Sequence, residues 1–317
     1  MASLSGASSF PEVPPETERI SRVNPRPLHV RSFAKVNLAL SVLGRRPDGF
    51  HEIRTVLQSI DLCDELEFWP CRELRLECHG AELLRNEDNL VWRAARALAK
   101  RVSAAEGAEI VLRKRIPLGS GLGGGSSNAA ATLLGLARFW NLRVPAAELQ
   151  NLACELGSDA PFFLCGGTAL GTGRGEEIYP LAELPPVFLV VVYPGIPVST
   201  AAAYGSLSLT LTSPGSANKI ASFCERTQEG AGCLTGIFND FETSILPAYP
   251  AIRQAKILLE ERGAVATLLS GSGSSVFGFF NDEESALAAS RGSVRETWRV
   301  FPAKTLSRAE YFQRMFG

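Results

Sequence analysis

The sequence lacks the features that would direct it to a membrane or to a nucleic acid. No apolar run in its 317 residues approaches the length of a membrane-spanning helix. The net charge of −1 gives no long-range field that would attract nucleic acid, and no basic run suggests a membrane surface. Any anion must therefore be bound by local geometry, and we expect the partners to be small molecules.

Signals for disulfide bonds, structural metal sites and secretion are also missing. The seven cysteines form no C-x-x-C pair and no cluster with histidine, which is typical of reduced, mostly structural thiols. We therefore expect a cytoplasmic protein. Residues 1–27 are rich in Ser, Pro and Glu and lack the hydrophobic stretch of a secretory signal, while Glu12, Glu16 and Glu18 argue against a transit peptide. This segment is predicted to be a disordered tail.

Length and composition allow more than one domain. A chain of 317 residues with a hydrophobic fraction of 45% can form one large or two medium domains. Pro180, Pro185 and Pro186 cluster ahead of an apolar run. We therefore predict an N-terminal lobe at residues 28–184 and a C-terminal lobe at residues 185–317. Strands and helices mix without strict alternation, which favours an α+β fold with antiparallel sheets.

Hydrophobic periodicity outlines the elements of this fold. Strands are predicted at 53–60, 64–69, 73–78, 108–116, 187–193, 264–269, 275–280 and 297–301. Helices are predicted at 89–102, 145–156, 199–204, 252–262 and 282–289. Residues 212–236 are rich in loop-forming residues, and neither their structure nor that of the extreme C-terminus is predicted.

A glycine-rich stretch, PLGSGLGGGSSN at residues 117–128, is the feature around which the rest of the chain is organised. Glycine lets backbone N–H groups converge on an anion without a β-carbon in the way. Apolar residues at 130, 133, 134 and 137 then predict an amphipathic helix. Ser126, Ser127 and Asn128 stand where N-cap residues belong, so the stretch is predicted to form a phosphate cradle at a helix N-terminus.

This glycine stretch does not fit two other nucleotide loops. It has no lysine before a hydroxyl residue, which a Walker A loop requires. Gly119, Gly121 and Gly124 match G-x-G-x-x-G, but no acid follows about 20 residues later, so a nicotinamide-dependent oxidoreductase is disfavoured. A flexible linker is also disfavoured, because a linker does not lead directly into an amphipathic helix.

Three other stretches carry polar or aromatic residues that suit a site. Between residues 29 and 43 one face of a predicted, half-buried strand is apolar, while Lys35 and Asn37 project from the opposite face into what we interpret as a cleft. A Pro-Asp-Gly turn then presents Phe50 and His51 together. Asp159 precedes Ala-Pro, so N-capping of a short helix and catalysis stay equally open for it on the residues alone.

Four of these stretches, in this order, resemble a known family. They are A-K-V-N-L at 34–38, P-D-G-F-H-E-I at 47–53, the glycine stretch, and G-S-D-A-P-F-F at 157–163. The Pro194-Gly195 turn and L-S-G-S-G-S-S-V-F at 269–277 agree with them. From residue 29 to residue 303 the chain resembles the 4-diphosphocytidyl-2-C-methyl-D-erythritol kinases of the GHMP kinase superfamily. The glycine stretch alone would indicate only the superfamily, which includes galactokinase, homoserine kinase and mevalonate kinase.

The resemblance implies a two-lobed α+β fold with the active-site cleft between the lobes. It implies an enzyme that uses ATP and Mg²⁺ to phosphorylate the tertiary C2 hydroxyl of 4-diphosphocytidyl-2-C-methyl-D-erythritol, in the non-mevalonate route to isoprenoid precursors. By this resemblance Asp159 is the base that accepts the hydroxyl proton, and Lys35 is its cationic partner. A positioned base suits a weak, crowded nucleophile such as a tertiary alcohol.

The resemblance also implies the binding residues. Those for ATP are Asn89, Lys114, Pro117, Leu118, Gly119, Ser120, Gly121, Leu122, Gly123, Gly124, Gly125, Ser126 and Ser127. Those for the cytidyl substrate are Asn37, Phe50, His51, Thr200 and Tyr204. Ser127 is expected to approach the metal, although no metal ligand is assigned. Asn89 can equally be a helix N-cap, and Lys114 can equally be an exposed lysine on a strand.

The cytidine end is expected to be an aromatic platform. Phe50 is expected to stack on the cytosine ring, with Tyr204 as the second side of a sandwich, while His51 reads the cytosine edge. Position 50 departs from the family, in which tyrosine is more common, so any hydrogen bond from a phenol is lost. Asn37 and Thr200 are expected to contact the diphosphate or the diol.

Two other functions stay open beside this one. A sister kinase acting on mevalonate or homoserine would share the glycine stretch but would not need P-D-G-F-H-E. A catalytically silent binding protein on the same fold is disfavoured because both Lys35 and Asp159 are present. The sequence predicts neither the oligomeric state nor the magnesium ligands.

Overall fold

The computed structural model describes residues 26–80, 86–102, 107–207, 215–226, 234, 236–293 and 295–317. Almost all of the N-terminal tail and part of residues 212–236 lie outside the described residues. The strands are β1 (Leu28–Arg45), β2 (His51–Cys71), β3 (Arg75–His79), β4 (Gly107–Arg113), β5 (Thr168–Thr172), β6 (Glu177–Pro180), β7 (Phe188–Tyr193), β8 (Phe238–Asn239), β9 (Ala266–Leu269), β10 (Val276–Phe280) and β11 (Arg299–Lys304). The helices are α1 (Leu90–Val102), α2 (Gly124–Phe139), α3 (Ala146–Leu156), α4 (Ala160–Cys165), α5 (Thr200–Ser206), α6 (Gly215–Arg226), α7 (Glu242–Ala248), α8 (Pro250–Glu261), α9 (Glu283–Gly292) and α10 (Arg308–Phe316).

The described strands form two sheets, of seven and four strands. The larger sheet has the order β3-β4-β2-β1-β8, with β5 paired to β2 and β6 paired to β5. The smaller sheet has the order β11-β7-β10-β9. Neighbouring strands are antiparallel, except that β3 is parallel to β4 and β1 is parallel to β8. The predicted α+β fold with antiparallel sheets is confirmed, apart from these two parallel pairs.

Strand β2 is longer than predicted, because one strand of 21 residues replaces the two predicted at 53–60 and 64–69. Where the prediction broke the strand, its register with β1 shifts. Phe33 pairs with Cys63, and the next residue, Ala34, pairs with Ile60. The additional residues of β2 form a bulge, which bends a strand without ending it.

Strand β1 is buried on both faces over most of its length, so the prediction of a half-buried strand is wrong. Before the bulge, Val30 belongs to a core formed with α1, α2, α4 and α10. After the bulge, Val36 belongs to a second core that includes Phe277 of the smaller sheet. The bulge therefore carries the strand from one core to the other, and Lys35 lies at this crossing.

The predicted helices α1, α3, α8 and α9 are confirmed, with ends that shift by up to three residues. Helix α2 differs more, because it begins at Gly124, inside the glycine stretch. Gly123 at φ 70° takes the left-handed conformation that starts the helix. Ser126, Ser127 and Asn128 therefore lie within the first turns of α2, and the prediction that they cap it is wrong.

The C-terminal helix α10 packs on the larger sheet, although no helix was predicted there. Its N-terminus carries a capping box between Ser307 and Glu310. Tyr311 is fully buried, and its hydroxyl donates a hydrogen bond to the carbonyl oxygen of Phe163 at 2.8 Å. The chain thus returns to the larger sheet after completing the smaller one, while the lobe boundary at 184/185 stays a prediction. Among the described helices, none is long and apolar enough to cross a membrane.

Candidate active site

The glycine stretch forms a loop between β4 and α2. Gly119, Gly121 and Gly123 have φ angles of 61°, 78° and 70°, which side chains other than glycine rarely tolerate. At Gly121 the space is also occupied, since a β-carbon there would lie 2.0 Å from the carbonyl oxygen of Ser270. Both backbone conformation and close approach therefore require glycine in this loop.

Two helices begin at the loop. Asn89 caps α1, because its Oδ1 accepts a hydrogen bond from the backbone N–H of Val91 at 2.9 Å. The side chain of the following residue, Leu90, lies 3.4 Å from the position that a β-carbon on Gly125 would occupy. The N-terminal ends of α1 and α2 therefore both meet the loop and add positive potential there. The N-cap alternative for Asn89 is what the geometry supports, and its contact with ATP stays a prediction.

Lys35 and Asp159 lie together beside the loop, although 123 residues separate them in the chain. The Lys35 Nζ is 3.4 Å from an Asp159 carboxylate oxygen, with the lysine side chain 4% and the aspartate side chain 38% exposed. Asp159 stands at the N-cap position of α4 but makes no side-chain capping bond. Its carboxylate is therefore directed to Lys35 and to solvent, and the capping alternative loses its support.

A line of hydrogen bonds fixes the Lys35 ammonium group. The Nζ donates to Oδ1 of Asn37 at 2.8 Å, and the Nδ2 of Asn37 donates to the hydroxyl of Thr55 at 2.8 Å. The Thr55 hydroxyl in turn donates to the carbonyl oxygen of Ala39 at 2.8 Å. The backbone N–H of Lys35 also donates to the loop carbonyl of Leu122 at 3.0 Å. The side chain and the backbone of this lysine are thus both held in place.

A turn from the second half of the chain, residues 270–274, completes this site. The Ser270 hydroxyl donates to the carbonyl oxygen of Gly121 at 2.9 Å. A β-carbon at Gly271 would lie 3.4 Å from both Lys35 Nζ and Asn37 Oδ1. The turn at 270–274 therefore packs against both the glycine loop and Lys35. Its motif belonged to the family resemblance, but the residues alone did not indicate this contact.

Asn239 holds that turn and was not among the predicted site residues. Its Nδ2 donates to the carbonyl oxygens of Leu269 and Gly271, each at 2.8 Å. Its Oδ1 accepts from the backbone N–H of Phe241 at 3.0 Å. Asn239 lies in the two-residue strand β8, which pairs with β1. A two-residue strand leaves no periodicity to read, so only the Asn-Asp pair before α7 could have drawn attention to it.

The predicted aromatic residues also meet, in a different arrangement from the one expected. The rings of His51 and Tyr204 stack with centroids 4.5 Å apart and planes 13° apart. The Phe50 ring is exposed, and the Arg174 guanidinium lies 4.9 Å from its centroid. One face of Tyr204 is therefore covered by His51, so a sandwich between Phe50 and Tyr204 is not preformed.

This aromatic group lies within electrostatic reach of Asp159. Burial raises the pKa of the Tyr204 phenol, and the Asp159 carboxylate raises that pKa further. The Thr200 hydroxyl lies 3.2 Å from the Ser272 hydroxyl in the turn at 270–274. Of the predicted substrate residues, Asn37 thus contacts Lys35, Tyr204 lies within electrostatic reach of Asp159, and Thr200 contacts the turn that packs on Lys35. Within the described part of the chain, no such contact is seen for Phe50, which faces Arg174.

Two predicted ATP residues lie beneath the loop. The Ser127 hydroxyl donates to the carbonyl oxygen of Phe33 in β1 at 2.6 Å and is buried, an orientation that does not support its approach to a metal. Lys114 forms a buried ion pair with Asp64 and donates to Oδ1 of Asn128 at 2.9 Å. The alternative of an exposed lysine on a strand is wrong, since the Lys114 side chain is only 4% exposed.

Comparison with known proteins identifies the relatives of this fold and site. Residues 89–167 match the model of the GHMP kinases N terminal domain, and residues 213–298 match GHMP kinases C terminal. A 4-diphosphocytidyl-2-C-methyl-D-erythritol kinase of Solibacter usitatus is 46% identical over 270 residues, covering 83% of this chain and 84% of the relative. A kinase of the same name from Pelotomaculum thermopropionicum is 44% identical over 276 residues, covering 86% and 96%.

Solved structures agree with these relatives. A crystal structure of 4-(cytidine 5'-diphospho)-2C-methyl-D-erythritol kinase is similar with a TM-score of 0.73 and 33% identity, over 87% of this chain and 98% of that one. Homoserine kinase from Cytophaga hutchinsonii gives a TM-score of 0.68 at 18% identity, over 92% and 99%, a likeness of fold alone. Fold and glycine loop thus define an ATP-dependent kinase of the GHMP type. Within that class, the chain belongs to the family of 4-diphosphocytidyl-2-C-methyl-D-erythritol kinases.

The hydrogen bonds by which Asn239 holds the turn at 270–274 are predicted to stabilise the folded protein. Asn239→Leu nearly keeps the volume but leaves two buried carbonyl oxygens and one N–H without their partner, which should lower the free energy of unfolding by about 2–5 kcal/mol. Urea unfolding followed by circular dichroism measures this. Asn151→Leu on the exposed side of α3 is the control, and its effect should stay within about 0.5 kcal/mol. An equal loss in the free energy of unfolding for the two variants would contradict this stabilising role of Asn239.

Proposed function

We propose that this chain transfers the γ-phosphoryl group of ATP to the C2 hydroxyl of 4-diphosphocytidyl-2-C-methyl-D-erythritol, within the non-mevalonate route to isoprenoid precursors. The observation that carries the proposal is the Lys35–Asp159 pair, 3.4 Å apart beside the glycine loop from which α2 begins. Membership of the kinase family supports the reaction and the acceptor. The likeness to homoserine kinase, at 18% identity, does not favour its acceptor.

Asp159 is the proposed base. Its carboxylate is partly exposed, so an acceptor hydroxyl can reach it, and it has no capping bond to break first. A tertiary alcohol is a poor nucleophile, and removal of its proton as the O–P bond forms raises the charge available for attack. The proton moves from the substrate oxygen to an Asp159 oxygen. Burial of the neighbouring Lys35 strengthens the electrostatic interaction between the two.

Lys35 is the proposed electrostatic partner. Its ammonium group would place a positive charge beside the attacking oxygen and the transferred phosphoryl group. Preorganised charge of this kind stabilises the transition state. The bonds through Asn37 and Thr55 hold the ammonium group before substrate arrives. Little reorganisation is then needed during the reaction, because the protein has already oriented the charge.

The glycine loop is the proposed phosphate site. The proposed donors are backbone N–H groups of residues 118–126, since Pro117 has none and that of Ser127 bonds to the carbonyl oxygen of Gly123. The positive ends of α1 and α2 favour an anion there. No lysine of the Walker type is present in this loop, so Mg²⁺ is expected to share in neutralising the triphosphate. The proposed substrate contacts are Asn37, Phe50, His51, Thr200 and Tyr204.

The residues around the loop fit a magnesium ion that arrives with the nucleotide. Among the described residues, no three His, Cys, Asp or Glu side chains are placed so that they could hold a metal ion together. Mg²⁺ bound through substrate phosphates needs only one or two protein oxygens. We propose the Ser126 hydroxyl, in the first turn of α2, as such an oxygen. The ion would supply charge neutralisation of the phosphates.

The proposed compartment is the cytoplasm, where substrate and ATP are the partners. Cys63 and Cys165 carry free thiols, and burial raises the pKa of the Cys63 thiol to about 11. A thiol with a raised pKa is little ionised and so reacts slowly, which suits a structural role. The net charge of −1 offers no attraction for nucleic acid.

The role of Asp159 predicts a selective loss of turnover. In Asp159→Asn, kcat should fall about 10²–10⁴-fold, because the amide cannot accept the hydroxyl proton. Steady-state kinetics with ATP and the cytidyl substrate measure it, and both KM values should change little. Asp282→Asn is the matched control, since Asp282 truly caps α9 and asparagine caps equally well. A kcat within threefold of wild type in Asp159→Asn would overturn the assignment.

The role of Phe50 predicts a change in substrate affinity. Phe50→Ala should raise KM for the cytidyl substrate about 5- to 150-fold, which corresponds to the roughly 1–3 kcal/mol of one base–aromatic stack. KM for ATP should stay unchanged. Tyr179→Ala is the control, because Tyr179 on β6 is as exposed as Phe50, at 53%. An unchanged cytidyl KM in Phe50→Ala would count against pyrimidine stacking at this position.

A further inference from the structure

Asp64 is a buried carboxylate that bonds to both ends of the glycine loop. Its side chain is 0% exposed. One oxygen accepts from the backbone N–H groups of Arg115 and Ile116, at 2.6 and 2.8 Å, where the chain leaves β4 for the loop. The other oxygen accepts from the Nδ2 of Asn128 in α2 at 2.9 Å. One side chain thus joins the segment before the loop to the helix after it.

Lys114 bonds to both Asp64 and Asn128. Its ammonium group pairs with the second Asp64 oxygen, and it donates to Oδ1 of Asn128 at 2.9 Å. A β-carbon at Gly124 would lie 3.2 Å from the Lys114 Nζ. Glycine at the first position of α2 therefore lets the helix lie close to the ammonium group.

Further bonds connect the same group to the strand of the catalytic lysine. The Nδ2 of Asn128 also donates to the Ser32 hydroxyl at 2.8 Å. The Ser32 hydroxyl donates to that of Ser127 at 2.7 Å, and Ser127 donates to the carbonyl oxygen of Phe33 at 2.6 Å. Phe33 lies two residues before Lys35 in β1. The start of α2 is thus bonded to β1 close to Lys35.

The chemistry of this group suits a fixed support. Asp64 accepts four hydrogen bonds, which uses the four lone-pair sites of a carboxylate. A buried charge pair is costly to break from one side, because the remaining charge is then unpaired. A glycine-rich loop has few side chains to hold its own shape and has much conformational freedom to lose. Its geometry must therefore be set at its ends.

We propose that Asp64 is the positioning residue of the nucleotide loop, and that Lys114 acts through Asp64 and Asn128 instead of binding the triphosphate. This rests on the proposed function, in which the loop holds ATP. It replaces the expectation that Lys114 is itself a nucleotide contact. Both side chains act by fixing where the loop N–H groups point.

The first experiment is Asp64→Asn in the full-length chain. Asparagine can still accept from Arg115 and Ile116, but its amide group then faces two donors, Lys114 and Asn128. Arg115 and Ile116 thus keep their hydrogen bonds to residue 64, whereas Asn128 in α2 loses its bond to that residue. The dissociation constant for ADP, measured by calorimetry, and KM for ATP should each rise at least about tenfold, whereas KM for the cytidyl substrate should change less than about twofold. A purely structural role would affect both substrates alike.

The matched control is Asp61→Asn on the same strand. Asp61 accepts from the backbone N–H of Lys304 at 2.8 Å and pairs with Arg314, so it faces β11 and α10 instead of the loop. Its variant should bind ADP as wild type does. A rise in the ADP dissociation constant equal to that of Asp64→Asn would overturn the proposal.

The second experiment separates support from direct binding. Lys114→Gln combined with Asp64→Asn removes the unpaired ammonium and offers the new amide a neutral partner. The double variant should recover ADP binding to within about threefold of wild type. If Lys114 touched the phosphates, the double variant would bind ADP more weakly than Asp64→Asn, and that result would overturn the proposal. Where Asp64→Asn alone does not fold, the double variant is compared with wild type: ADP binding within about threefold supports the proposal, and a dissociation constant raised about tenfold or more overturns it.

Failure of this inference is distinguishable from failure of the proposed function. Wild-type chain that binds ADP but phosphorylates no cytidyl substrate contradicts the function and leaves the loop test intact. Wild-type chain that is active, together with Asp64→Asn that binds ADP normally, contradicts the role of Asp64 alone.

Discussion

The structure depends on a close contact between two backbone turns from distant parts of the chain. The loop at Gly121 and the turn at Ser270 approach so closely that a β-carbon would lie 2.0 Å from a carbonyl oxygen. No side chain fits at Gly121, and the Ser270 hydroxyl joins the two turns by donating a hydrogen bond to the carbonyl oxygen of Gly121. The same turn brings Gly271 against Lys35, so the contact that joins the two sheets also bounds the proposed catalytic site.

The site contains two lysine–aspartate pairs, and in each pair an asparagine side chain accepts a hydrogen bond from the lysine. Lys35 is held by Asn37 and faces Asp159, while Lys114 is held by Asn128 and faces Asp64. The two lysines differ in what they can reach. The carboxylate beside Lys35 is 38% exposed and can meet a substrate, whereas the carboxylate beside Lys114 is fully buried. The first pair therefore suits chemistry, and the second suits support of the loop.

Local pattern in the sequence predicted much of this fold, and long-range contacts explain what it missed. The strand that carries Lys35 and the helix after the glycines follow from periodicity. The early start of α2 does not follow from periodicity. It involves the left-handed conformation of Gly123 and a hydrogen bond from Asn128 to Asp64, which lies far away in the sequence, in β2. For Asp159, the residues alone left capping and catalysis open, whereas the fold shows no capping bond and brings Lys35 to 3.4 Å from its carboxylate. The stacking of His51 on Tyr204 depends on how the two halves of the chain meet, which no local pattern contains.

The most direct measurement is a crystal structure of the chain with a non-hydrolysable ATP analogue and 4-diphosphocytidyl-2-C-methyl-D-erythritol. The account predicts the triphosphate within the loop at 117–127 and the C2 hydroxyl oxygen about 2.6–3.2 Å from an Asp159 oxygen, facing the γ-phosphorus. A triphosphate bound outside this loop would contradict the account, and so would a C2 hydroxyl that faces away from Asp159 and Lys35.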